Sequence, residues 1–504
     1  MPPAPHPFPQ PIYRVAQIRA IEARCADVTP PLMARAGDAA TRAALALMRG
    51  VREPALILCG PGNNGGDGFV VARILRQRGF NPVVVFPGDP GHLPEDARAA
   101  FEDWRTLGGH VEHEMPRRPF SLVIDALFGI GLARPIEGAY AALIDRVNGM
   151  ECRVLAVDVP SGLCADSGRM LGRAMRASAT VTFIGLKPGL LTLDGPDHCG
   201  DISVHDLDLS PETVVRPEAS VVAPELFAAS LTPRRRNSHK GMMGGAGIIG
   251  GAPGMVGAAL LAGRAALKLG AGRVYVGLID NTALAVDTDQ PELMLRAPQE
   301  VLASGLATAL ALGPGLGQGS AALDLLRQAL AGALPLVLDA DALNLLATHR
   351  VLAGHVRQRA AATLLTPHPL EAARLLGTDL GAVSGDRVGA ARDLAQRFGQ
   401  PTLLKGCGSV IALPDGRWYI NTSGNPGMAS AGMGDVLAGF TAALLGRGWP
   451  AEAALLCATH LHGVAADRLV SGGTGPEGLT AGETIEAART VFNGWVAATS
   501  RGGR

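Results

Sequence analysis

The sequence predicts two α/β domains, each built on a largely parallel β-sheet that is covered by helices. Three observations support this prediction. The chain has 504 residues, which is too long for one ordinary hydrophobic core. Short apolar runs rich in β-branched residues alternate with glycine-rich turns and helical stretches, as in βαβ units. This alternation occurs twice, and a polar segment with several prolines separates the two series.

The first series predicts the N-terminal domain. Its strands are expected at residues 55–59, 82–86, 121–128, 154–159 and 181–184, and its helices at residues 69–77, 94–107 and 139–147. Continuously apolar strands such as SLVIDALF suit a sheet that is buried on both faces.

The second series follows a connector predicted at residues 210–236. Its strands are expected at residues 247–249, 273–277, 309–312, 335–339, 362–366 and 402–405, with helices at residues 256–269 and 440–445. We therefore predict one domain over residues 1–222 and a second over residues 223–504.

The charge balance argues against a nucleic-acid partner. The chain has 45 Lys and Arg residues and 45 Asp and Glu residues, so no net field attracts a polyanion. The one dense basic cluster, at residues 234–240, is interpreted as a solvated linker between the domains.

The cysteine pattern and the N-terminus predict a cytoplasmic location. The seven cysteines are never in C-x-x-C spacing, which argues against a disulfide framework or a zinc site and fits a reducing compartment. The proline-rich start lacks the apolar segment of a signal peptide, and glycine and proline interrupt the long uncharged stretches. We expect a soluble homo-oligomer without a membrane partner.

A glycine-rich loop, GPGNNGGDG at residues 60–68, is the sharpest local signal in the first series. Glycines between a strand and a helix let backbone amides approach a phosphate. Residues 60–65 also match the G-x-G-x-x-G dinucleotide pattern, which is weak evidence by itself. Asn63, Asn64 and Asp67 are more polar than phosphate packing requires, and they indicate further ligand contacts.

Polar side chains also follow the later strands of this series. Asp125, Asp158 and Ser161 lie where strands end, and the carboxyl ends of parallel strands face one crevice. Carboxylate, amide and hydroxyl oxygens are hard ligands that suit an alkali or alkaline-earth cation.

The segments GPGNNGGDG, DALFGIGLARPIEGAY and AVDVPSG resemble the NAD(P)H-hydrate epimerase family over about residues 10–215. The resemblance implies a Rossmann-like three-layer α/β/α sandwich that epimerises the R and S hydrates of NADH and NADPH at nicotinamide C6. It implies a potassium ion bound by Asn64, Asp125 and Ser161, and Asp158 is our candidate for the catalytic proton carrier. The hydrated dinucleotide would contact Asn63, Asn64, Gly65, Gly66, Asp67, Gly129, Ile130, Gly131, Leu132, Ala133, Arg134, Pro135, Tyr140 and Asp158.

In the second series, small residues at 425–434 lead into an apolar helix and bring Asp435 to its start. Free N–H groups at a helix N-terminus form an anion hole that can hold a transferring phosphate. A carboxylate beside that hole suits the acceptance of a hydroxyl proton. The loop at residues 405–409 and His368 follow two other strands of the series.

This half resembles the ribokinase-like ADP-dependent NAD(P)H-hydrate dehydratase family over about residues 225–495. The resemblance lies in KGMMGGAGIIGG, GAALLAGRAALKLGAG, ALGPGLG, LDADALN, LTPHPLEAARLLG, KGCGSV and NPGMASAGMGDVLAG. Two positions depart from the family pattern, since Val256 and Ser409 stand where threonine is usual. Val256 lacks the hydroxyl, which weakens the assignment of the neighbouring Ala258.

The resemblance implies a ribokinase-like α/β domain that dehydrates the S hydrate at the expense of ADP, with magnesium, giving NAD(P)H, AMP and phosphate. Asp435 would take the proton of the C6 hydroxyl, which attacks the terminal phosphate of ADP. The hydrated substrate would contact Ala258, Gly317, His368 and Asp435. The adenine nucleotide would contact Lys405, Gly406, Cys407, Gly408, Ser409 and Gly434.

Three other functions compete with this interpretation. A ribokinase-like vitamin kinase would release a stable phosphate ester, and a non-catalytic dinucleotide-binding scaffold would bind its ligand without turnover. A dehydrogenase rests only on the weak dinucleotide pattern. The presence of both halves in one chain favours repair, because one half would prepare the stereoisomer that the other consumes.

Overall fold

The chain folds into two compact units, one spanning Gln10–Ala219 and the other beginning at Ser220. The computed structural model describes residues 9–48, 53–280, 282, 284–303 and 305–502. The predicted domain boundary after residue 222 lies three residues beyond the observed division. Most of the proline-rich start of the chain lies outside the described residues.

The N-terminal unit alternates strands and helices along most of its length. Its strands are β1 (Pro11–Ile12), β2 (Ala55–Cys59), β3 (Val83–Val85), β4 (Leu122–Ala126), β5 (Val154–Val157), β6 (Ala179–Phe183) and β7 (Asp201–His205). Its helices are α1 (Val15–Arg24), α2 (Leu32–Met48), α3 (Asn63–Gln77), α4 (Glu95–Thr106), α5 (Gly138–Asn148), α6 (Pro188–Leu191), α7 (Gly195–Cys199) and α8 (Pro211–Val214).

Six of these strands form a parallel sheet in the order β3-β2-β4-β5-β6-β7. The chain leaves β2 for β3 on one side and returns to β4 on the other, so the connections reverse direction at β2. Buried side chains such as Phe69 and Phe101 pack on one face, and Leu56 and Ile144 pack on the other. A reversal of this kind opens a crevice at the carboxyl ends of the strands.

The C-terminal unit contains the second series of strands and helices. Its strands are β8 (Ala219–Val221), β9 (Gly245–Gly250), β10 (Arg273–Leu278), β11 (Met294–Arg296), β12 (Ala309–Leu312), β13 (Leu336–Leu338), β14 (Thr363–Leu365), β15 (Thr402–Leu404), β16 (Ser409–Ala412) and β17 (Trp418–Asn421). Its helices are α9 (Val256–Lys268), α10 (Pro298–Ala303), α11 (Ser320–Ala331), α12 (Ala340–Thr348), α13 (Val351–Gln358), α14 (Pro369–Leu376), α15 (Leu380–Gly385), α16 (Arg387–Phe398), α17 (Met433–Gly446), α18 (Ala451–Ser471) and α19 (Ala481–Gly502).

Its strands run in the order β8-β17-β16-β15-β14-β13-β12-β9-β10-β11. The seven strands from β15 to β11 pair in parallel, as predicted for six of them, and β11 was not predicted. Strand β16 pairs antiparallel with β15 and β17. The β16–β17 hairpin was not predicted. The turn Asp415-Gly416 between two apolar runs is its sequence signal, and Gly416 has a φ of +95°.

The predicted connector at residues 210–236 is more structured than expected. It contains β8 and two short 3₁₀ turns, Pro224–Leu226 and Ala228–Ser230. Val222 and Phe227 are each 1% exposed and belong to the hydrophobic core of the C-terminal unit. Burial of these apolar side chains stabilises a defined backbone conformation in a segment whose composition alone predicts a linker.

Among the helices in the described ranges, we find none whose length and apolar character would let it cross a bilayer.

Candidate active sites

Helix α3 begins earlier than its sequence predicts, at Asn63 rather than at residue 69. Gly62 is its N-cap and supplies no side-chain cap, so the first N–H groups of the helix are left for other partners. The glycines that suggested a loop are explained by packing. A Cβ on Gly65 would lie 2.0 Å from the Gly60 carbonyl oxygen, and one on Gly68 would lie 2.8 Å from the Ala126 Cβ. Only glycine allows the helix to lie this close to the sheet.

A cavity of about 730 Å³ opens beside this helix start, within the N-terminal unit. Most of the predicted dinucleotide contacts line it, namely Asn63, Asn64, Asp67, Gly129, Ile130, Gly131, Leu132, Ala133, Arg134 and Asp158. Gly65, Gly66, Pro135 and Tyr140 do not line it. Tyr140 packs edge-on against Phe128, a lining residue, with ring centroids 5.0 Å apart. The cavity is large enough for a sizeable part of a dinucleotide.

Asp125 and Ser161 do not line this cavity, but they contact each other, and both are fully buried. The Ser161 hydroxyl donates to Asp125 Oδ1 at 2.6 Å, and the Ser161 N–H donates to Asp125 Oδ2 at 2.8 Å. Burial raises the pKa of Asp125 to about 6, against the opposing effect of these hydrogen bonds. The Phe128 N–H also donates to the Ser161 hydroxyl, at 2.9 Å, which ties the loop after β4 to this pair.

Asn64 is the third predicted ligand residue, and its amide is unusual. Both Oδ1 and Nδ2 are buried, and neither has a hydrogen-bond partner among the described residues. Asn64 Oδ1 lies 3.2 Å from the position of a Cβ on Gly129, which adjoins Phe128. Because buried polar atoms are rarely left without a partner, this amide indicates a ligand position close to Gly129.

Asp158 follows β5 with a φ of +69°, a conformation that non-glycine residues seldom adopt. Its Oδ1 accepts a hydrogen bond from Lys187 Nζ at 2.7 Å, and its Oδ2 accepts one from the Ile130 N–H at 3.0 Å. Lys187 has no exposed surface, and it also donates to Thr182 Oγ1 and to the Phe183 carbonyl oxygen. The carboxylate is therefore held rigidly at the cavity wall.

Lys187 and Glu22 were not identified from the sequence, yet both line the cavity. Lys187 lies within the apolar run VTFIGLKPGLL, where a charge is unexpected and could have been a signal. Burial and the charge of Asp158 raise the pKa of Glu22, and burial, Asp158 and Glu22 raise that of Asp67 well above its usual value. The cavity lining thus includes four carboxyl groups, Glu22, Asp67, Asp96 and Asp158, and one fully buried ammonium, that of Lys187.

In the C-terminal unit, α17 begins at Met433, seven residues before the start that its sequence predicts. Its N-cap, Gly432, has a φ of +90° and leaves the first N–H groups without a side-chain cap. Asp435 therefore lies within the first turn, half-buried, rather than in a loop that precedes the helix. Burial, and next the charge of Asp339, raise the pKa of Asp435 to about 6.

Four further ionisable groups surround this helix start. Lys405 Nζ lies 2.6 Å from Asp339 Oδ1, and a Cβ on Gly434 would lie 3.3 Å from Lys405 Nζ. The predicted nucleotide contacts Lys405 and Gly434 are thus brought together. Burial opposes the charge of Lys405, but the carboxylates of Asp339, Glu371 and Asp435 outweigh this effect and raise its pKa.

His368 is the N-cap of α14 and forms a reciprocal capping pair with Glu371. Its Nδ1 accepts from the Leu370 N–H at 3.1 Å, while Glu371 accepts from the His368 N–H at 2.8 Å. Burial raises the pKa of Glu371 to about 7, and burial followed by the charge of Lys405 lowers that of His368. Asp339 and Glu371 were not assigned a role from the sequence, although both lie within quoted motifs.

The other predicted contacts are fixed by local hydrogen bonds and packing. The loop at residues 405–409 is closed by the Ser409 hydroxyl, which donates to the Gly406 carbonyl oxygen at 2.9 Å and accepts from the Gly406 N–H at 3.1 Å. The Gly317 N–H donates to Asp341 Oδ2 at 2.8 Å. A Cβ on Gly315 would lie 3.3 Å from the Ala258 Cβ, so the glycine loop after β12 contacts the start of α9.

The chain was compared with known sequence families and proteins. A family described as NAD(P)H-hydrate dehydratase matches residues 246–483, and one described as YjeF-related protein N-terminus matches residues 30–189. The bifunctional NAD(P)H-hydrate repair enzyme Nnr of Escherichia coli is 37% identical over 503 residues, which cover 97% of this chain and 95% of that protein. The bifunctional NAD(P)H-hydrate repair enzyme of Leishmania major is 37% identical, over 92% of this chain and 89% of that protein.

A solved structure gives a partial match. The ADP/ATP-dependent NAD(P)H-hydrate dehydratase of Bacillus subtilis, co-crystallised with ATP and Mg²⁺, aligns with a TM-score of 0.49 and 29% sequence identity. The alignment covers 55% of this chain and 98% of that structure.

Proposed function

Because this chain belongs to the family of bifunctional NAD(P)H-hydrate repair enzymes, we propose that its two units carry out consecutive steps of hydrate repair. The N-terminal unit epimerises the R and S hydrates of NADH and NADPH at nicotinamide C6. The C-terminal unit dehydrates the S hydrate and consumes ADP. The observation that carries the proposal is that each unit places a candidate proton acceptor, Asp158 or Asp435, beside a helix start suited to phosphate.

Epimerisation requires reversible cleavage of the C–O or the C–N bond at nicotinamide C6. Asp158 is positioned to move the proton that accompanies this cleavage, since its Oδ2 lies at the cavity wall and its Oδ1 is fixed by Lys187. Lys187 is a positioning residue in this scheme, because its ammonium donates to Asp158 Oδ1 and fixes the orientation of the carboxylate. The dinucleotide occupies the 730 Å³ cavity, with a phosphate at the start of α3.

The Asn64 amide supports the proposal that a potassium ion is bound in this unit. Its buried, unpartnered Oδ1 lies close to the Phe128–Gly129 backbone, to which the Asp125–Ser161 pair is hydrogen-bonded. An amide, a carboxylate and a hydroxyl form the oxygen donor set that suits such a cation. When bound, the ion would supply positive charge that offsets the buried carboxylate of Asp125.

An Asn64→Leu variant tests this site, because leucine keeps the volume but removes the oxygen. We expect the potassium concentration for half-maximal epimerisation to rise about tenfold, the effect of losing roughly 1.4 kcal/mol of ligand binding. The rate is followed by chromatography of the two hydrates at constant ionic strength. Asn63→Leu is the matched control and should alter the substrate KM rather than the potassium requirement. An unchanged potassium dependence in Asn64→Leu would contradict the assignment.

Gly129 provides a steric test of the same cavity. A Cβ added there would lie 2.8 Å from Asp158 Oδ2 and 3.2 Å from Asn64 Oδ1. We expect Gly129→Ala to lower the epimerisation rate by about tenfold or more, because positioned catalytic groups tolerate little displacement. Gly131→Ala is the control in the same loop, since the nearest atom to its Cβ would be Arg19 Nη2 at 3.9 Å. Equal rates for the two variants would show that the Gly129 contact does not matter.

In the C-terminal unit, Asp435 accepts the proton of the C6 hydroxyl while the hydroxyl oxygen attacks the terminal phosphorus of ADP. A P–O bond forms to C6–O, and the P–O bond to AMP breaks. The ring-nitrogen lone pair then expels phosphate from C6, and loss of a C5 proton restores the dihydronicotinamide. The uncapped N–H groups of α17 and the ammonium of Lys405 stabilise the charge on the phosphate.

The carboxylates near this phosphate position fit magnesium. Asp339 and Glu371, which are 2% and 3% exposed, would hold the ion as hard oxygen ligands, directly or through water. Bound magnesium would offset the charge of the nucleotide phosphates.

The raised pKa of Asp435 predicts a pH dependence for dehydration. The base acts as a carboxylate, so activity is present above its pKa and is lost as it becomes protonated. Because that pKa is about 6, we expect kcat/KM to be flat above pH 7 and to fall about tenfold per pH unit well below 6. Circular dichroism over the same pH range separates this effect from unfolding. A rate that does not change from pH 5 to 7 would exclude Asp435 as the titrating base.

A mixture of R and S hydrates, supplied with ADP and magnesium, tests both activities together. We expect dihydronicotinamide absorbance to recover completely, because the N-terminal unit replenishes the isomer that the C-terminal unit consumes. Recovery that stops when the S hydrate is exhausted would contradict the epimerase assignment. Accumulation of a stable phosphorylated product would contradict the dehydratase assignment.

A further inference from the structure

A cavity of about 510 Å³ in the C-terminal unit is not used by the proposed repair reaction. It lies at the C-terminal ends of α9 and α17, and α19 forms another wall. Its lining includes the cations Arg234, Lys268, Arg447 and Arg489, and Glu292 is the one carboxylate in the lining. Arg234 belongs to the basic cluster that the sequence suggested was a solvated linker.

Two of these arginines converge on one point. A Cβ added to Gly270 would lie 2.6 Å from Arg234 Nη2 and 3.9 Å from Arg447 Nη1. Burial, and next the charge of Arg234, lower the pKa of Arg447. The two guanidinium groups therefore repel each other at the cavity wall, and a negatively charged group between them would offset this repulsion.

No carboxylate of the described part of the chain lies within 4.0 Å of Arg234 or Arg447. Lys268 and Arg489, by contrast, both contact Glu486, at 2.7 and 3.5 Å. A guanidinium has five N–H donors, so the pair presents ten. The hydrogen bonds found for the pair go to the backbone. Arg234 donates to the Gly270 carbonyl oxygen at 2.6 Å, and Arg447 donates to the Leu269 carbonyl oxygen at 3.4 Å.

One donor of each arginine is engaged by the carbonyl groups of Leu269 and Gly270, which follow the last residue of α9. A cation–π contact between Arg447 and the Phe492 ring, 5.5 Å from its centroid, explains how the Arg447 guanidinium is oriented. The carbonyl groups at the helix C-termini offset part of the repulsion between the two cations, but most of their ten N–H donors have no partner among the described residues. We propose that this cavity is an anion site, in which Arg234 and Arg447 bind the phosphate group of a phosphomonoester or inorganic phosphate.

The cavity volume falls within the range of small-molecule sites, and guanidinium groups bind phosphate oxygens in pairs. The site is separate from the phosphate position at the start of α17. Arg447 directly follows the last residue of this 14-residue helix, about 20 Å along its axis from the first turn. The chain would therefore have two phosphate sites at opposite ends of one helix.

Hydrogen exchange of the full chain locates the binding. We expect about 10 mM inorganic phosphate, a concentration suited to a millimolar site, to slow exchange at residues 267–270 and 489–496. We expect Arg234→Gln, which removes an exposed charge, to raise at least tenfold the phosphate concentration that gives half-maximal protection. Arg236→Gln is the control, because Arg236 is exposed in the same segment but does not line the cavity.

Protection that is lost in Arg234→Gln and retained in Arg236→Gln would support the site. No protection in the wild-type chain, or equal protection in Arg234→Gln, would overturn it. A parallel titration with AMP distinguishes the two sources of the phosphate group. Protection at a lower concentration of AMP than of phosphate identifies a nucleoside monophosphate as the ligand, and equal concentrations identify free phosphate.

Discussion

Replacing Asp435 with alanine is expected to lower the dehydration rate by about 10²–10⁴-fold, the usual contribution of a general base. The structure gives the physical reason. Asp435 lies in the first turn of α17, beside the ammonium of Lys405 and the uncapped helix N–H groups. Without the carboxylate, the C6 hydroxyl attacks phosphorus while it still holds its proton. The rate is measured as the ADP-dependent recovery of dihydronicotinamide absorbance from purified S hydrate.

The same variant should epimerise normally, because the N-terminal cavity is lined only by residues of its own unit. Epimerisation of a purified R hydrate therefore serves as the internal control in a single preparation. An Asp435→Asn variant keeps the shape of the side chain and should lose dehydration to a similar extent. Loss of both activities from a folded variant would contradict independent sites, and retention of dehydration would remove Asp435 from the mechanism.

Replacing Asp158 with asparagine is expected to lower the epimerisation rate by about 10²–10⁴-fold, because an amide cannot carry the proton. Dehydration of purified S hydrate should be unaffected. The substitution also leaves the ammonium of Lys187, which is fully buried, without its counter-ion. Removal of one partner of a buried pair costs about 3–5 kcal/mol of stability, so the variant is expected to unfold more easily.

A second variant separates catalysis from stability. Removing both charges, as in Asp158→Asn/Lys187→Met, eliminates the unpaired ammonium and should recover much of the lost stability in thermal unfolding. If Asp158 moves the proton, this double variant remains inactive as an epimerase although it is folded. Wild-type epimerisation by Asp158→Asn, with binding intact, would show that another group carries the proton.

The architecture could be predicted because it depends on local apolar patterns. Strands β2 and β12 begin and end at the predicted residues, since each is a continuous apolar run that a glycine ends, Gly60 after β2 and Gly313 after β12. The starts of α3 and α17 were predicted too late. Glycines and short polar residues resemble loops in isolation, whereas in the fold they allow close helix packing, as where a Cβ on Gly439 would lie 2.1 Å from the Ala262 carbonyl oxygen.

The predicted site residues are those that lie in compact motifs, such as Asn64, Asp158 and Asp435. Lys187 and Asp339 were missed because the ion-pair partner of each comes from a distant position in the chain, and Glu22 is far in sequence from the other groups that line its cavity. Glu371 was missed although its partner, His368, is only three residues away. Lys187 contacts a carboxylate 29 residues earlier, and Lys405 contacts one 66 residues earlier. Spacing along the chain carries no information about such pairs, which form only when the sheet brings strand ends together.

Helix α17 is buried on nearly every side, and at Gly439 it lies against the backbone of α9 without space for a methyl group. A helix packed this tightly cannot move toward its ligand. Its phosphate-binding N-terminus must therefore have the binding conformation before the nucleotide arrives. The catalytic advantage of such an end is preorganisation, because dipoles that are aligned in advance need not reorient as charge develops. Changes of nucleotide specificity should therefore arise from substitutions in the surrounding loops, since substitutions within α17 would also displace the carboxylate of Asp435.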